Sequence, residues 1–131
     1  RLETGQADFW RAGWIADYPD PENFLNLLYG GHVPADLSTK SYLNSVRYQS
    51  AAFDTLFNAA LRETDENKRL ELYIQADQQA MNDAAIMPLY YDEYIRLLNP
   101  RIRNFPQNAM EYRDLSMVWI QPTEDEWSGG K

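Results

Sequence analysis

The stretch Arg11-Ala12-Gly13-Trp14-Ile15-Ala16-Asp17-Tyr18-Pro19-Asp20-Pro21-Glu22-Asn23-Phe24-Leu25-Asn26 decides how this chain is read. Over residues 7–17 the pattern alternates: Phe9, Arg11, Gly13, Ile15 and Asp17 share one face, Trp10, Ala12, Trp14 and Ala16 the other. A strand with this pattern turns its second, apolar face inward. The first face mixes a cation, a glycine, an apolar residue and an anion, which a plain core strand would not choose. Pro19 and Pro21 end the strand, because proline has no N–H to give to a ladder. Asp20 then stands as an N-cap, with Pro21 at the first helical position and Glu22 in the first turn, so a short helix is expected over 21–29.

Outward from this corner, Gly30-Gly31 stops the short helix, and residues 30–49 form a polar connection with no period. That is long for a compact domain and reads as a surface excursion. Phe53, Leu56, Phe57, Ala60 and Leu61 recur at helical spacing behind Ser50 as cap, which predicts a helix over 51–62. Thr64-Asp65-Glu66 opens a second helix to about residue 82, with Leu70, Tyr73, Ile74, Ala76 and Met81 near one stripe. The tight turn between them predicts an antiparallel pair. Residues 85–91 and 94–98 read as extended apolar segments, 101–109 as loop, 115–120 as a last strand and 123–131 as an acidic, frayed tail. Strand, helices, then strands indicate an α/β domain, a mixed sheet with flanking helices.

Composition narrows the function. A chain of 131 residues can bury roughly two-thirds of its unfolded surface, enough for one core. A net charge of -8 repels a phosphate backbone and argues against nucleic acid as a partner. No apolar run reaches the ~20 residues of a membrane span. The absence of cysteine excludes disulfides, thiol catalysis and thiolate metal sites. The chain opens at Arg1 without an initiator Met or a signal-like region, which reads as a mature or trimmed product.

Asp17, Asp20, Glu22 and Asn23 could suggest a cation site, but prolines interrupt the alternating ligand pattern and capping explains Asp20 and Glu22. His32, the only histidine, sits in the polar loop with no evident partner, which argues against a triad or a histidine-dependent metal site. A hydrolase using Asp17 and Asp20 lacks any supporting pattern. Arg11 and Asp17 are more suggestive. Six positions apart on one strand face, they lie roughly 20 Å from each other. An extended peptide docking there by strand addition would meet a cation near one end and an anion near the other. Gly13, midway, lets a second backbone come close. The alternative is a sheet face carrying ordinary surface charges, and the pattern alone leaves both open.

The residues Arg11-Ala12-Gly13-Trp14-Ile15-Ala16-Asp17-Tyr18, Pro21 and Phe24-Leu25-Asn26 also resemble a known family. So do, in order, Tyr48-x-Ser50-x-Ala52-Phe53-Asp54-x-Leu56, Arg69-x-x-Leu72-Tyr73-x-x-Ala76, Asp83-x-Ala85-Ile86-x-Pro88-x-Tyr90-Tyr91 and Arg96-Leu97. The chain is similar to the C-terminal quarter of the family 5 solute-binding proteins of ABC importers, in particular the oligopeptide-binding branch. The resemblance implies a two-lobed, type II periplasmic-binding-protein fold that closes on a ligand and delivers it to a membrane permease. It implies no catalysis and no cofactor, and a periplasmic or extracellular location. By the same resemblance Asp17 pairs with a peptide amino terminus, and the backbone of Gly13-Trp14-Ile15 bonds the peptide. Trp14 walls a side-chain pocket, and Arg11 meets a peptide carboxylate. Residues 1–92 then belong to the second, ligand-cleft lobe and 93–131 return to the first.

Two departures stand out: Asp92 replaces an aromatic usual in that branch, and the 30–49 connection is longer than usual. Apolar faces made for the missing parts of such a protein would need cover, for instance from a second copy of the chain. The rival readings keep the fold and change the ligand, to nickel, a sugar or an opine-like small molecule, or make the chain a sensing domain of a regulator.

Overall fold

Two capped helices carry the core of the computed structural model, which describes residues 1–36, 38–108, 110 and 112–123. Ser50 Oγ accepts the Phe53 N–H at 3.4 Å and starts α2, Ala51–Arg62. Asp65 Oδ1 accepts the N–H groups of Asn67 and Lys68, each at 3.1 Å, and starts α3, Glu66–Asn82. Each cap satisfies donors that have no partner within the helix. Both helices fall where their periodicity predicts, and three residues separate them, so the chain doubles back and their apolar stripes face each other.

Phe53, Phe57 and Ala60 of α2 meet Tyr73, Ala76 and Ala80 of α3 in the buried core. The three alanines let the backbones approach, and aromatic rings fill the rest of the seam. Phe53 stacks with Phe57 at 5.9 Å between centroids, and Tyr48 and Tyr29 close the ends at 5.5 and 5.1 Å. Leu61, Leu70 and Ile74, expected on the core stripes, are exposed instead. On α3, Leu70 and Ile74 lie about a quarter-turn round from the Tyr73–Ala76–Ala80 line, beyond the reach of a single partner helix.

At the end of α3, Ala84 adopts a left-handed conformation (φ 52). The Ala85 N–H reaches back to the Ala80 carbonyl at 3.1 Å and the Ala84 N–H to Met81 at 3.1 Å. This is a Schellman closure built on alanine where glycine is usual.

The short helix near residue 21 is α1, Glu22–Leu25, and it tightens at once into a 3-10 turn, Asn26–Leu28. It is shorter than the expected 21–29 because Tyr29 turns extended before a second 3-10 turn, Gly30–His32. Leu25 and Leu28 are buried against the helical pair.

The connection at 30–49 is no loose excursion. Asn44 is fully buried and its amide donates to the carbonyls of Tyr29 (3.0 Å) and Tyr48 (2.8 Å) while accepting the Tyr48 N–H (3.0 Å). Ser41, also buried, donates to the Asn44 carbonyl at 2.7 Å. The Gly30 N–H donates to Asp54 Oδ1 of α2 at 2.9 Å, and a Cβ at Gly30 would sit 2.5 Å from the same carboxylate. His32 has a partner after all: its Nε2 lies 2.6 Å from Asn26 Oδ1.

The expected mixed sheet is not formed among the described residues. Residues 7–17, 85–91 and 94–98 form no helix and join no ladder, and the last strand shrinks to β2, Trp119–Ile120. It pairs antiparallel with β1, Ile102–Arg103, inside the segment expected to be loop. A strand is completed only by another backbone that takes up its N–H and C=O groups, and the described residues offer none to these three segments. The alternation nevertheless survives. Over residues 9–17 every odd position is exposed, while Trp10, Trp14 and Ala16 are half-buried.

The chain divides into two units, Arg1–Leu89 and Tyr90–Lys131. The first holds the helical core and the corner at residues 17–21. In the second, the β1–β2 ladder is extended by the Gln121 N–H to Arg101 carbonyl bond at 2.8 Å and by Arg103 donating to Gln121 Oε1 at 2.5 Å. The expected acidic tail lies outside the described residues from 124 onward.

Candidate ligand-binding site

Pro19 and Pro21 stiffen the corner after the extended segment, and two carboxylates flank Pro19 with different fates. Asp20 is taken up by structure. Its Oδ1 accepts the Glu22 N–H at 2.9 Å, and its Oδ2 meets the Arg69 guanidinium of α3 at 2.5 Å. Burial pushes the Asp20 carboxyl upward, but the Glu22 N–H and Arg69 outweigh it and hold it below the ordinary carboxylate value. Arg69 is raised by the same pairing and lies 5.8 Å from the Tyr73 ring centroid. The Tyr18 hydroxyl donates to the Glu22 carboxylate, which raises the phenol.

Asp17 is spent on nothing comparable. Its side chain is exposed, and among the described residues no cation pairs with it. One oxygen, Oδ2, accepts the Asn23 amide at 3.3 Å. Asn23 itself is buried, and its Oδ1 accepts the Trp14 indole N–H at 2.8 Å and the Asp17 backbone N–H at 3.1 Å. Trp14 is thus turned toward α1 and half-buried, while Arg11, Gly13, Ile15 and Asp17 are exposed on the opposite face. Among the described residues a Cβ at Gly13 would meet nothing within 4 Å, so the backbone there is open to approach from them.

The five residues singled out from sequence therefore share one extended segment, four on its open face and Trp14 behind them. Sequence reasoning missed two others. Asn23 entered only as a member of the unsupported cation cluster with Asp17, Asp20 and Glu22, and Arg69 only within the motif Arg69-x-x-Leu72-Tyr73. The signal for Arg69 was its place on the flank of the buried Tyr73 stripe. No residue of the segment lines the cavity of about 250 Å³ in the second unit, which is formed by Tyr94, Arg96, Leu98, Phe105, Gln107 and Asn108. Among the described residues no cluster of acidic and histidine side chains could hold a metal ion.

Comparison with known proteins identifies one class. The chain is homologous to the family 5 peptide-binding proteins of the periplasm and matches a part of them. The periplasmic oligopeptide-binding protein OppA of Escherichia coli K12 is 39% identical over 101 residues, covering 77% of this chain and 17% of its own length. OppA of Salmonella typhimurium LT2 is 41% identical over the same shares of both chains. Heme-binding protein A of Haemophilus influenzae Rd is 30% identical over 112 residues, 86% of this chain and 19% of its own. The chain thus spans less than a fifth of the length of these curated relatives. No family model matches it. No solved structure matches it either.

Proposed function

We propose that the chain forms part of the substrate-binding component of an ABC peptide importer and works by binding an extended oligopeptide, not by catalysis. The observation that carries this reading is the contrast at the corner: Asp20 is bound to Arg69, while Asp17 is exposed and held by a buried amide with one oxygen left open. An exposed, directed carboxylate suits a peptide ammonium. The open backbone at Gly13 suits pairing with the peptide main chain through the neighbouring Ile15, Trp14 walls a pocket, and Arg11 meets the far carboxylate.

In the complete protein the ligand is enclosed between two lobes of a type II fold. Residues 1–92 belong to the ligand-cleft lobe and 93–131 return to the other. The location is periplasmic or extracellular, with the importer's permease as partner. In isolation the chain self-associates through its exposed apolar side chains, among them Tyr91 and Leu97 at 95% and 97% exposure.

The test is Asp17→Ala in the full-length protein, with trialanine titrated by calorimetry. Loss of the ammonium's partner costs about 2 kcal/mol or more, roughly thirtyfold in affinity. Unchanged affinity refutes the role of Asp17. A second reading, a non-peptide ligand on the same scaffold, draws on the relative named for heme. It is favoured if trialanine fails to bind and a small molecule co-purifies.

A further inference from the structure

The Asn23 side chain does more than fill the corner. It is 5% exposed, and two N–H donors, from the Trp14 indole and the Asp17 backbone, converge on its single oxygen. That convergence fixes the amide's orientation, because the reversed amide would set its NH2 against both donors. The nitrogen is thereby turned to Asp17 Oδ2. Capping does not call for any of this, since Asp20 already serves the Glu22 N–H.

We propose that Asn23 is a positioning residue for ligand selection: it aims the Asp17 carboxylate at a primary amine and ties that carboxylate to the Trp14 wall. The inference rests on the reading of Asp17 as the amine's partner given above. With Oδ2 held from the α1 side, Oδ1 has no partner among the described residues and faces an incoming ammonium with its geometry already set. Pre-setting a charged acceptor lowers the ordering cost of binding, so its effect appears in the choice between amine and non-amine ligands. The Trp14 indole, bonded to the same amide oxygen, reports on the same event.

The experiment measures trialanine and N-acetyl-trialanine binding to the full-length protein and to its Asn23→Ala, Asn23→Ser and Asp17→Asn variants, with folding checked by thermal melting. The readout is the ratio of the two Kd values. Asn23→Ala and Asn23→Ser should lower that preference for the free amine by about tenfold, toward the ratio of Asp17→Asn, with the acetylated peptide little affected. A ratio unchanged from the unmutated protein in a folded Asn23 variant overturns the proposal, as does equal weakening of both peptides, which would mark a purely structural role. A ratio near one in the unmutated protein refutes instead the underlying reading of Asp17. Should neither Asn23 variant fold, the indole N–H resonance of Trp14 in the unmutated protein decides. It should shift with trialanine and not with the acetylated peptide, and an equal response to both overturns the proposal.

Discussion

Replacing Asn44 tests whether the long 30–49 connection is part of the folded core. The amide makes three hydrogen bonds and is fully buried. In Asn44→Ala the Tyr29 carbonyl keeps a donor, because the His32 N–H still reaches it at 3.1 Å. The Tyr48 N–H and carbonyl both lose their partner. Two stranded backbone groups at about 1–2 kcal/mol each give a loss of about 2–4 kcal/mol. Asn44→Asp sharpens the case, since a carboxylate still accepts the Tyr48 N–H but sets an anion against two carbonyls. It should destabilise more than alanine at pH 7 and recover part of the loss in acid, where a protonated carboxyl donates again. Urea unfolding followed by circular dichroism measures both, with the slope checked for a change in the unfolded state. A loss under about 1 kcal/mol for Asn44→Ala would show that water satisfies these groups and that the connection is an excursion after all.

Three further outcomes follow from the described contacts. The Asp20–Arg69 pair holds the Asp20 carboxyl down despite its burial, so its contribution is complete above the ordinary carboxylate value of about 4. That contribution is lost as pH falls through the lower folded value, and Arg69→Met should flatten the acid limb of a pH–stability curve. Ala84→Gly relieves a left-handed alanine (φ 52) at the end of α3 and should raise stability by about 0.5–1 kcal/mol, read as a higher Tm. Phe57→Ala opens a cavity at a site only 1% exposed and should cost about 3–5 kcal/mol in denaturant.

The helices were legible because their signals are local. Ser50 and Asp65 cap within three residues, and the Phe53–Phe57–Ala60 stripe needs only the helical period. The sheet was not, because strand identity belongs to a pair of backbones and residues 7–17 have no partner in the described chain. Their alternation still read correctly as an inner and an outer face, with Ala12 the exception. The 30–49 connection was misjudged for a related reason. Asn44 reaches Tyr29, 15 positions back, and no composition rule foretells which polar loop residue will be buried. At the site, Asp17 and Trp14 stood out as side chains, whereas Asn23, which joins them across nine positions or fewer, was masked by the capping chemistry around it.

The Asp20–Arg69 contact also bears on how this corner could be moved or rebuilt. Asp17 takes its direction from Asn23 on α1, and just ahead of α1 the Asp20 carboxylate is tethered to Arg69 in the first turn of α3, 49 positions away. The direction of the Asp17 carboxylate therefore depends on a helical hairpin remote from it in sequence. Grafting residues 10–25 onto another scaffold would transfer the letters of the site without its aim. The smallest portable unit runs from residue 10 through the end of α3.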